Sequence, residues 1–299
     1  MAHLPSTKQL KYLTAVVEHR HFGKAATSCF VSQSTLSSGI AELEQNLGVT
    51  LFERDQSGVK LLPIGQEISQ RAQKILTELQ DLVDCATAAR EPFSSELRLG
   101  VIPTIAPYIL PQILSYIRKH HPALKVYIHE AMSQPLTEEL QSGQLDLLLL
   151  ALPYPAKNVN TMHLFYDDFL IATPNDHPFS KLSTVSIKDI RKHDLLLLED
   201  GHCIRDHALD ACLMTADDLN IPYQATSLNT VTQMVANRLG LTILPEMAID
   251  SYMTKSSGIS VTPFIEDNIN RSIGLMWRQS TPRVDEFKAI GDLIIESIS

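Results

Sequence analysis

The fold of the N-terminal part of the chain is decided by the stretch FGKAATSCFVSQSTLSSGIAELEQNLGVTLFER, residues 22–54. Apolar side chains recur three or four positions apart from Leu36 to Leu47, which predicts a helix with one apolar face. Ser32 is the expected N-cap of this helix, and Gly48 is its expected C-terminal stop. The stretch therefore centres on one amphipathic helix whose other face is polar.

Two shorter helices precede this one. Ser6 and Gln9 fit a capping box, and apolar residues follow on one face, which predicts a helix over about residues 7–18. A short helix from Phe22 and a turn at residues 30–32 complete a helix-turn-helix pattern, in which the last helix is presented to DNA. Periodicity alone leaves open three small helices that merely pack together. Short hydrogen-bonding side chains on the polar face of the third helix could reach bases and phosphates: Gln33, Ser34, Thr35, Ser37 and Ser38.

A small β-wing is predicted directly after the third helix. Residues 51–54 and 59–62 read as two strands, and a Gln-Ser-Gly turn separates them. Such a wing can lay Arg54 and Lys60 along a DNA backbone. We therefore interpret residues 1–65 as a winged helix-turn-helix domain that binds DNA.

Length and composition limit the class of protein to which the chain can belong. The composition, 44% hydrophobic and 20% charged, is typical of a globular protein. The length of 299 residues predicts a small module and a larger bilobed one. Residues 1–65 carry six Lys/Arg against five Asp/Glu, whereas residues 91–299 carry 16 Lys/Arg against 25 Asp/Glu. Only the N-terminal module therefore has a charge balance that favours binding to phosphates. The longest apolar run, Leu147–Leu152, is far shorter than the about 20 residues of a membrane-spanning helix. We expect a soluble, cytoplasmic protein.

A linker helix is predicted over residues 66–90, with a length of about 37 Å at 1.5 Å per residue. The alternative to dimerisation through this helix is packing of the helix on its own domain. Residues 91–95, with a proline among them, form the predicted hinge. The helix carries a heptad seam, which favours dimerisation, at Ile68, Ala72, Ile75, Leu79 and Leu82.

Beyond the hinge, strands and helices alternate, which predicts an α/β domain with a parallel sheet over residues 96–299. Strands are expected at 97–102, 124–130, 145–152, 169–173, 194–199, 224–227, 241–244 and 271–278, and helices at 107–120, 136–142, 230–238 and 284–297. We expect two lobes with a cleft between them. Lobe I covers about residues 96–166 and 270–299, and lobe II covers about residues 167–269.

The order of module, linker helix and bilobed domain resembles that of the LysR-type transcriptional regulators along the whole chain. The residues that carry the resemblance are Phe22-Gly-Lys-Ala-Ala, Val31-Ser-Gln-Ser-Thr-Leu-Ser, Leu43-Glu44, Leu47-Gly-Val and Leu51-Phe-Glu-Arg54. The resemblance implies a periplasmic-binding-protein-like regulatory domain. It also implies a homotetramer, a dimer of dimers, that binds double-stranded promoter DNA and acts with RNA polymerase.

Several motifs are similar to those of the peroxide-sensing members of that family: Ile102-Pro-Thr104, Leu198-Glu-Asp-Gly-His-Cys-Ile-Arg-Asp206, Ala225-Thr-Ser-Leu228 and Arg271-Ser-Ile-Gly274. The resemblance implies that hydrogen peroxide oxidises Cys203, that Cys212 then forms a reversible disulfide with it, and that the protein controls antioxidant genes. It further implies peroxide binding by Thr104, Ser133, His202, Arg205 and Asp206. Ser133 stands where the family commonly has Thr, and a hydroxyl is retained.

The chemistry of Cys203 can also be argued from its neighbours. It stands at a predicted helix start with Arg205 within one turn, and helix N-termini and cations both favour the thiolate. If residues 204–212 are helical, about 13 Å separates the Cα atoms of Cys203 and Cys212, whereas a disulfide needs about 4.4–6.8 Å. A bridge between them therefore requires the helix to unwind.

Three alternatives stay open at this point. A zinc site could use His202, Cys203, His207 and Cys212, although the spacing lacks the usual compact pairs. A regulator of the same architecture could respond to a small organic effector in the cleft. A thiol peroxidase would need neither the DNA-binding module nor the linker, so we expect a non-enzyme without cofactors. Cys29 and Cys85 are interpreted as packing residues.

Overall fold

The computed structural model describes residues 4–55, 58–88, 93, 96–214, 224–249 and 258–298. The chain divides into two compact units, Met1–Ala86 and Thr87–Ser299. Within the described residues, no helix is both long and apolar enough to cross a lipid bilayer.

The first unit contains the three predicted helices, α1 (Thr7–His19), α2 (Phe22–Ser28) and α3 (Gln33–Leu47). The capping box at the start of α1 is confirmed, because the Ser6 and Gln9 side chains each accept a hydrogen bond from the backbone N–H of the other. The N-cap of α3 is confirmed by a bond from the Thr35 N–H to the Ser32 hydroxyl at 3.2 Å. Gly48 ends α3 at a φ of 68°.

The wing consists of β1 (Phe52–Asp55) and β2 (Gly58–Leu61), which pair antiparallel. Its turn at residues 56–57 lies outside the described residues. The Glu44 carboxylate on α3 accepts hydrogen bonds from the backbone N–H of Leu51 at 2.6 Å and of Phe52 at 3.3 Å. One side chain of α3 thereby fixes the start of the wing.

The linker helix α4 (Pro63–Ala88) begins three residues before its predicted start. Ile68 and Ala72, the first two predicted dimerisation residues, pack instead in the core of the helix-turn-helix domain. The later seam residues are open to solvent in the single chain: Ile75 is 50%, Leu79 41% and Leu82 67% exposed. The predicted hinge, apart from Phe93, lies outside the described residues.

Lobe I of the second unit contains strands and helices in the predicted alternation. Its elements are β3 (Glu96–Val101), α5 (Ala106–His120), β4 (Lys125–Glu130), α6 (Ser133–Ser142), β5 (Leu147–Leu152), β11 (Asn270–Arg278) and α10 (Val284–Ile298). Strand β3 pairs parallel with β4 and β5, whereas β11 pairs antiparallel with β5, so the predicted parallel sheet is a mixed one. Helix α10 packs against α5.

Strand β6 (Val159–Pro174) runs through both lobes. Its first part pairs with β11, and its last part pairs with the two lobe II strands β9 (Thr242–Pro245) and β10 (Ile259–Pro263). The predicted strand started only at residue 169, and β10 was not predicted. Both were missed because polar residues interrupt the apolar pattern of each segment.

Lobe II has a separate apolar core, distinct from that of lobe I. Two short 3-10 helices, Pro178–Lys181 and Glu246–Ala248, flank its strands. The expected strand at 194–199 is reduced to two paired residues and an isolated bridge at Leu195. The remaining elements are α7 (Ile187–Ile190), β7 (Leu197–Leu198), α8 (Cys203–Ala211), β8 (Gln224–Ala225) and α9 (Leu228–Ala236).

Replacing Glu44 by Ala should destabilise the first unit by about 1–3 kcal/mol, because two backbone N–H groups next to buried side chains lose a charged acceptor. Glu44→Gln keeps an acceptor and should cost less, and Glu42→Ala on the exposed face of α3 is the control. Urea unfolding followed by far-UV circular dichroism measures the loss. The single tryptophan, Trp277, lies in lobe I, so its fluorescence should not shift. An equal shift of both signals, or of neither, would contradict the role of Glu44.

Candidate functional site

Cys203 is the first residue of α8 and follows the N-cap residue His202. Its half-buried side chain packs against the apolar core of lobe I. Ile204, Ala208 and Leu209 of the same helix belong instead to the core of lobe II. The thiol therefore lies where the two lobes meet, on a helix anchored in one of them.

The surroundings of Cys203 act on its thiol in opposite directions. Burial raises the pKa of Cys203, whereas the Ser133 hydroxyl, the charge of Arg271 and the backbone N–H of Ala151 each lower it. Burial prevails and the pKa of Cys203 is raised, in contrast to the prediction that the helix start and Arg205 favour the thiolate. The thiolate depends on a few polar groups that lobe I supplies.

Arg205 has another partner than the sequence suggested, and Asp206 opposes the Cys203 thiolate. The Arg205 guanidinium forms an ion pair with Asp200, in the loop before α8. Asp206 is exposed on the solvent side of α8, and its charge raises the pKa of Cys203. The cation that favours the Cys203 thiolate is instead Arg271, which the sequence analysis did not select as a site residue.

Arg271 is buried in β11 and joins several elements of both lobes. Its Nε donates to the Asp167 carboxylate on β6 at 2.9 Å. Its Nη1 and Nη2 donate to the hydroxyl and the carbonyl oxygen of Thr104, both at 3.0 Å. Asp167 also accepts from the Met247 N–H at 3.0 Å, and burial raises the pKa of this carboxyl, against the influence of Arg271. The sequence signal for this cluster was an arginine near the start of a strand that is otherwise mostly apolar.

Two buried hydroxyls lie on the lobe I side of the site. Thr104 follows β3, and its hydroxyl accepts from Arg271, which leaves its own proton free for another acceptor. Ser133 is the first residue of α6, and its buried hydroxyl has no partner at full hydrogen-bonding geometry among the described residues. Gly201, at a φ of 100°, brings the loop before α8 against Met132, since an added Cβ would lie 3.0 Å from the Met132 sulfur. Both hydroxyls expected from the sequence are thus buried in this region.

Two histidines flank the thiol along α8. His202 is buried, its Nε2 has no hydrogen-bond partner among the described residues, and burial lowers its pKa. His207 donates through Nε2 to the carbonyl oxygen of Pro153 at 3.3 Å, and burial lowers its pKa too. Burial therefore favours the neutral form of both imidazoles.

Cys212 occupies the opposite end of α8, as its C-cap residue. Its side chain is fully buried in the core of lobe II, and burial raises its pKa to about 12. Cys203 and Cys212 are both free thiols, and the α-helix between them is intact. The two thiols thus belong to different cores, held apart by the full length of one helix.

The donor set for zinc does not assemble in the part of the chain described. No group of three or more His, Cys, Asp or Glu side chains there could hold a metal ion.

Cys29 is half-buried and packs against the core of the helix-turn-helix, as predicted. Cys85 is exposed on α4, so its interpretation as a packing residue was wrong.

The predicted DNA-binding side chains form an open polar surface on α3. Gln33, Ser34, Thr35 and Ser38 are exposed, and Ser37 is half-buried. On the wing, Lys60 is exposed and lies 3.8 Å from Glu53, a weak surface pair that phosphates could replace. The side chain of Arg54 lies outside the described part of the chain.

Replacing Ser133 by Ala should raise the pKa of Cys203 further, because a group that favours the thiolate is lost. The pH profile of Cys203 alkylation by iodoacetamide, read by peptide mass spectrometry, should then move to higher pH, with a lower rate at pH 7. Ser133→Thr retains the hydroxyl and should leave the profile in place. Identical profiles for Ser133→Ala and the unchanged protein would show that this hydroxyl does not act on the thiol.

Comparisons with known proteins agree with both units. The family described as "Bacterial regulatory helix-turn-helix protein, lysR family" matches residues 7–66, and "LysR substrate binding domain" matches residues 90–298. The HTH-type transcriptional regulator EstR of Acinetobacter baylyi is 40% identical, over 98% of this chain and 97% of that protein. A hydrogen peroxide-inducible genes activator of Escherichia coli O6:H1 is 38% identical, over 96% of this chain and 94% of that protein.

A solved structure of full-length OxyR from Pseudomonas aeruginosa superposes with a TM-score of 0.81 and 34% identity, over 98% of this chain and 95% of that one. The fold, the order of the two units and the relatives along the whole chain all agree. The chain belongs to the LysR family of bacterial helix-turn-helix transcriptional regulators.

Proposed function

We propose that this LysR-family regulator is a cytoplasmic sensor of hydrogen peroxide that controls antioxidant genes through a Cys203–Cys212 thiol switch. The observation that carries the proposal is the placement of the two thiols. Cys203 lies at the lobe junction, where burial and nearby polar groups act on it, and Cys212 caps the other end of the same helix. The similarity to a hydrogen peroxide-inducible genes activator supports the same function.

In the first step, the Cys203 thiolate attacks one oxygen of hydrogen peroxide and the O–O bond breaks. The leaving hydroxide takes up a proton and departs as water, so the peroxide is reduced by two electrons and Cys203 becomes a sulfenic acid. The Thr104 hydroxyl, held as an acceptor by Arg271, can donate to the leaving oxygen. The unpartnered Ser133 hydroxyl and His202 Nε2 supply further hydrogen-bonding groups for peroxide.

In the second step, the Cys212 thiolate attacks the Cys203 sulfur and the S–O bond breaks. Hydroxide leaves, is protonated to water, and a disulfide remains, which cellular thiols can reduce with two electrons. Because a helix separates the thiols, this step requires α8 to unwind and Cys212 to leave the core of lobe II. Oxidation therefore replaces helix α8 and the packing of Cys212 with a loop closed by a disulfide. The region then has two alternative structures, as a conformational switch requires.

The exposed part of the α4 seam supports dimerisation, and we propose the family's dimer of dimers as the functional assembly. A helix with a row of exposed apolar side chains gains from a second copy that covers them. Paired DNA-binding modules would bind promoter DNA jointly, since each nearly neutral module alone binds weakly. In this proposal the tetramer acts on RNA polymerase at the promoters it occupies.

A second candidate function is regulation by a small organic effector in the cleft between the lobes. The observations that favour it are the similarity to EstR, whose name does not mention peroxide, and the raised pKa of Cys203. Under this alternative the buried polar cluster around Arg271 would bind the effector. Oxidation chemistry then separates the two candidates.

Treatment of the reduced protein with one equivalent of hydrogen peroxide should yield a Cys203–Cys212 crosslinked peptide, because the second thiol intercepts the sulfenic acid. Alkylation of free thiols before digestion, followed by mass spectrometry, measures it, and dithiothreitol should reverse it. Cys203→Ser should abolish the crosslink and any peroxide-dependent change in the DNA footprint, whereas Cys212→Ser should accumulate a dimedone-reactive sulfenic acid. Cys85→Ser, at an exposed thiol, is the matched control. An unmodified Cys203 at peroxide levels that oxidise Cys85 would favour the effector candidate instead.

A further inference from the structure

The C-terminal end of α8 is closed by a specific backbone motif. The Leu213 N–H donates to the Asp210 carbonyl at 3.0 Å, and the Met214 N–H donates to the Leu209 carbonyl at 2.9 Å. These two bonds define a Schellman motif in which Leu213 is the first residue beyond the C-cap. Leu209 and Met214 are both buried in the core of lobe II, the apolar contact that usually accompanies this motif.

Leu213 is an unfavourable residue at this position. It has a φ of 50°, in the left-handed region that glycine adopts without cost but a side chain with a Cβ does not. Its side chain is also 83% exposed, so no packing compensates for the strained backbone. The helix end next to Cys212 is therefore closed, but under local strain.

A single arginine holds this strained residue in place. The Arg191 Nη2 donates to the Leu213 carbonyl at 2.6 Å, a short bond from a charged donor. Arg191 is the C-cap of α7, and the Glu266 carboxylate holds the other end of α7 through the Ser186 hydroxyl and the Ile187 N–H. The contact thus ties the end of α8 to the body of lobe II.

We propose that Leu213 and Arg191 are positioning residues that set the rate at which Cys212 leaves its core to form the disulfide. The strain at Leu213 favours opening of the helix end, and the Arg191 bond opposes it. Neither residue touches the peroxide site. The inference rests on the proposed thiol switch, which it extends from the site of oxidation to the barrier of the second step.

The two residues predict opposite effects on the same rate. Leu213→Gly removes the backbone strain and should slow disulfide formation about five-fold. Leu213→Ala keeps the Cβ and its strain while removing the exposed side chain, so its rate should match that of the unchanged protein. Arg191→Met removes the bond to the Leu213 carbonyl and should speed the reaction several-fold. Arg191 also lowers the pKa of Cys212, so a purely electrostatic role predicts a slower reaction instead.

Disulfide formation is measured in the reduced full-length protein by acid quenching at successive times after peroxide is added in excess, with the crosslinked peptide quantified by mass spectrometry. Sulfenic acid formation, trapped with dimedone in a Cys212→Ser background, should be unchanged by all three substitutions. Arg238→Met, which removes another surface arginine of lobe II from its ion pair with Asp176, is the control. A rate for Leu213→Gly equal to that of Leu213→Ala, or an unchanged or slower rate for Arg191→Met, would overturn the proposal.

A second measurement isolates the helix end from the peroxide chemistry. Cys212 is fully buried, so iodoacetamide can modify it in a Cys203→Ser background only when the end of α8 opens. Leu213→Gly should slow this labelling and Arg191→Met should speed it, without any peroxide. If these labelling rates follow the prediction but no crosslink ever forms, the thiol switch and the kinetic role proposed here both fail, and the opening of the helix end alone stands. Unchanged labelling rates would overturn the role of both residues, whatever the crosslink shows.

Discussion

The buried guanidinium of Arg271 forms hydrogen bonds with groups from both lobes of the second unit. A charge removed from water must be paired and hydrogen-bonded, and Arg271 meets this requirement with Asp167 and both oxygen atoms of Thr104. These partners come from β6, which runs through both lobes, and from the end of β3. The 3-10 helix of Met247 joins through the same carboxylate. The requirement to satisfy one cation therefore fixes where the lobes meet and places a hydroxyl and a positive charge near Cys203.

Helix α8 connects this charged junction to an apolar core. Its first residue, Cys203, lies against lobe I, and the residue that caps its end, Cys212, is buried in lobe II. The reduced state is therefore stabilised by the helix itself and by the packing of its side chains. Both would be lost if the two thiols formed a disulfide. The strained Leu213 and the Arg191 bond act at the end of the helix where this loss begins. In the proposed switch, the thiol that is oxidised and the conformational barrier lie at opposite ends of one short helix.

Local signals in the sequence predicted the helix-turn-helix well. The Ser6–Gln9 capping box, the Ser32 N-cap and the Gly48 stop depend on residues within one turn, so the sequence contains all the information they need. The alternation of strands and helices in lobe I was predictable for the same reason. The first ten residues of β6 were not, because their partner β11 lies about one hundred residues away and decides their structure through pairing.

The site was predictable in its residue types but not in its electrostatics. Cys203, Ser133 and Thr104 lie at the junction and Cys212 lies in the core of lobe II, but Arg205 is paired with Asp200 and the cation that lowers the pKa of Cys203 is Arg271. Sequence proximity suggested Arg205, whereas charge acts through space and the guanidinium that lowers the pKa of Cys203 is that of Arg271. The raised pKa of Cys203 also follows from burial between two lobes, which no local pattern reveals. The dimerisation seam predicted on α4 was too long for a similar reason, because its first two residues pack against their own domain.

Amide hydrogen exchange of the reduced and the peroxide-treated protein shows whether oxidation dismantles α8. In the reduced protein the amides of residues 207–212, which are bonded within the helix and its cap, should be protected from exchange. After formation of the Cys203–Cys212 disulfide, these amides should exchange rapidly, while those of β5 and β11 in lobe I stay protected. Continued protection of these amides in a protein that carries the disulfide would show that α8 does not unwind on oxidation.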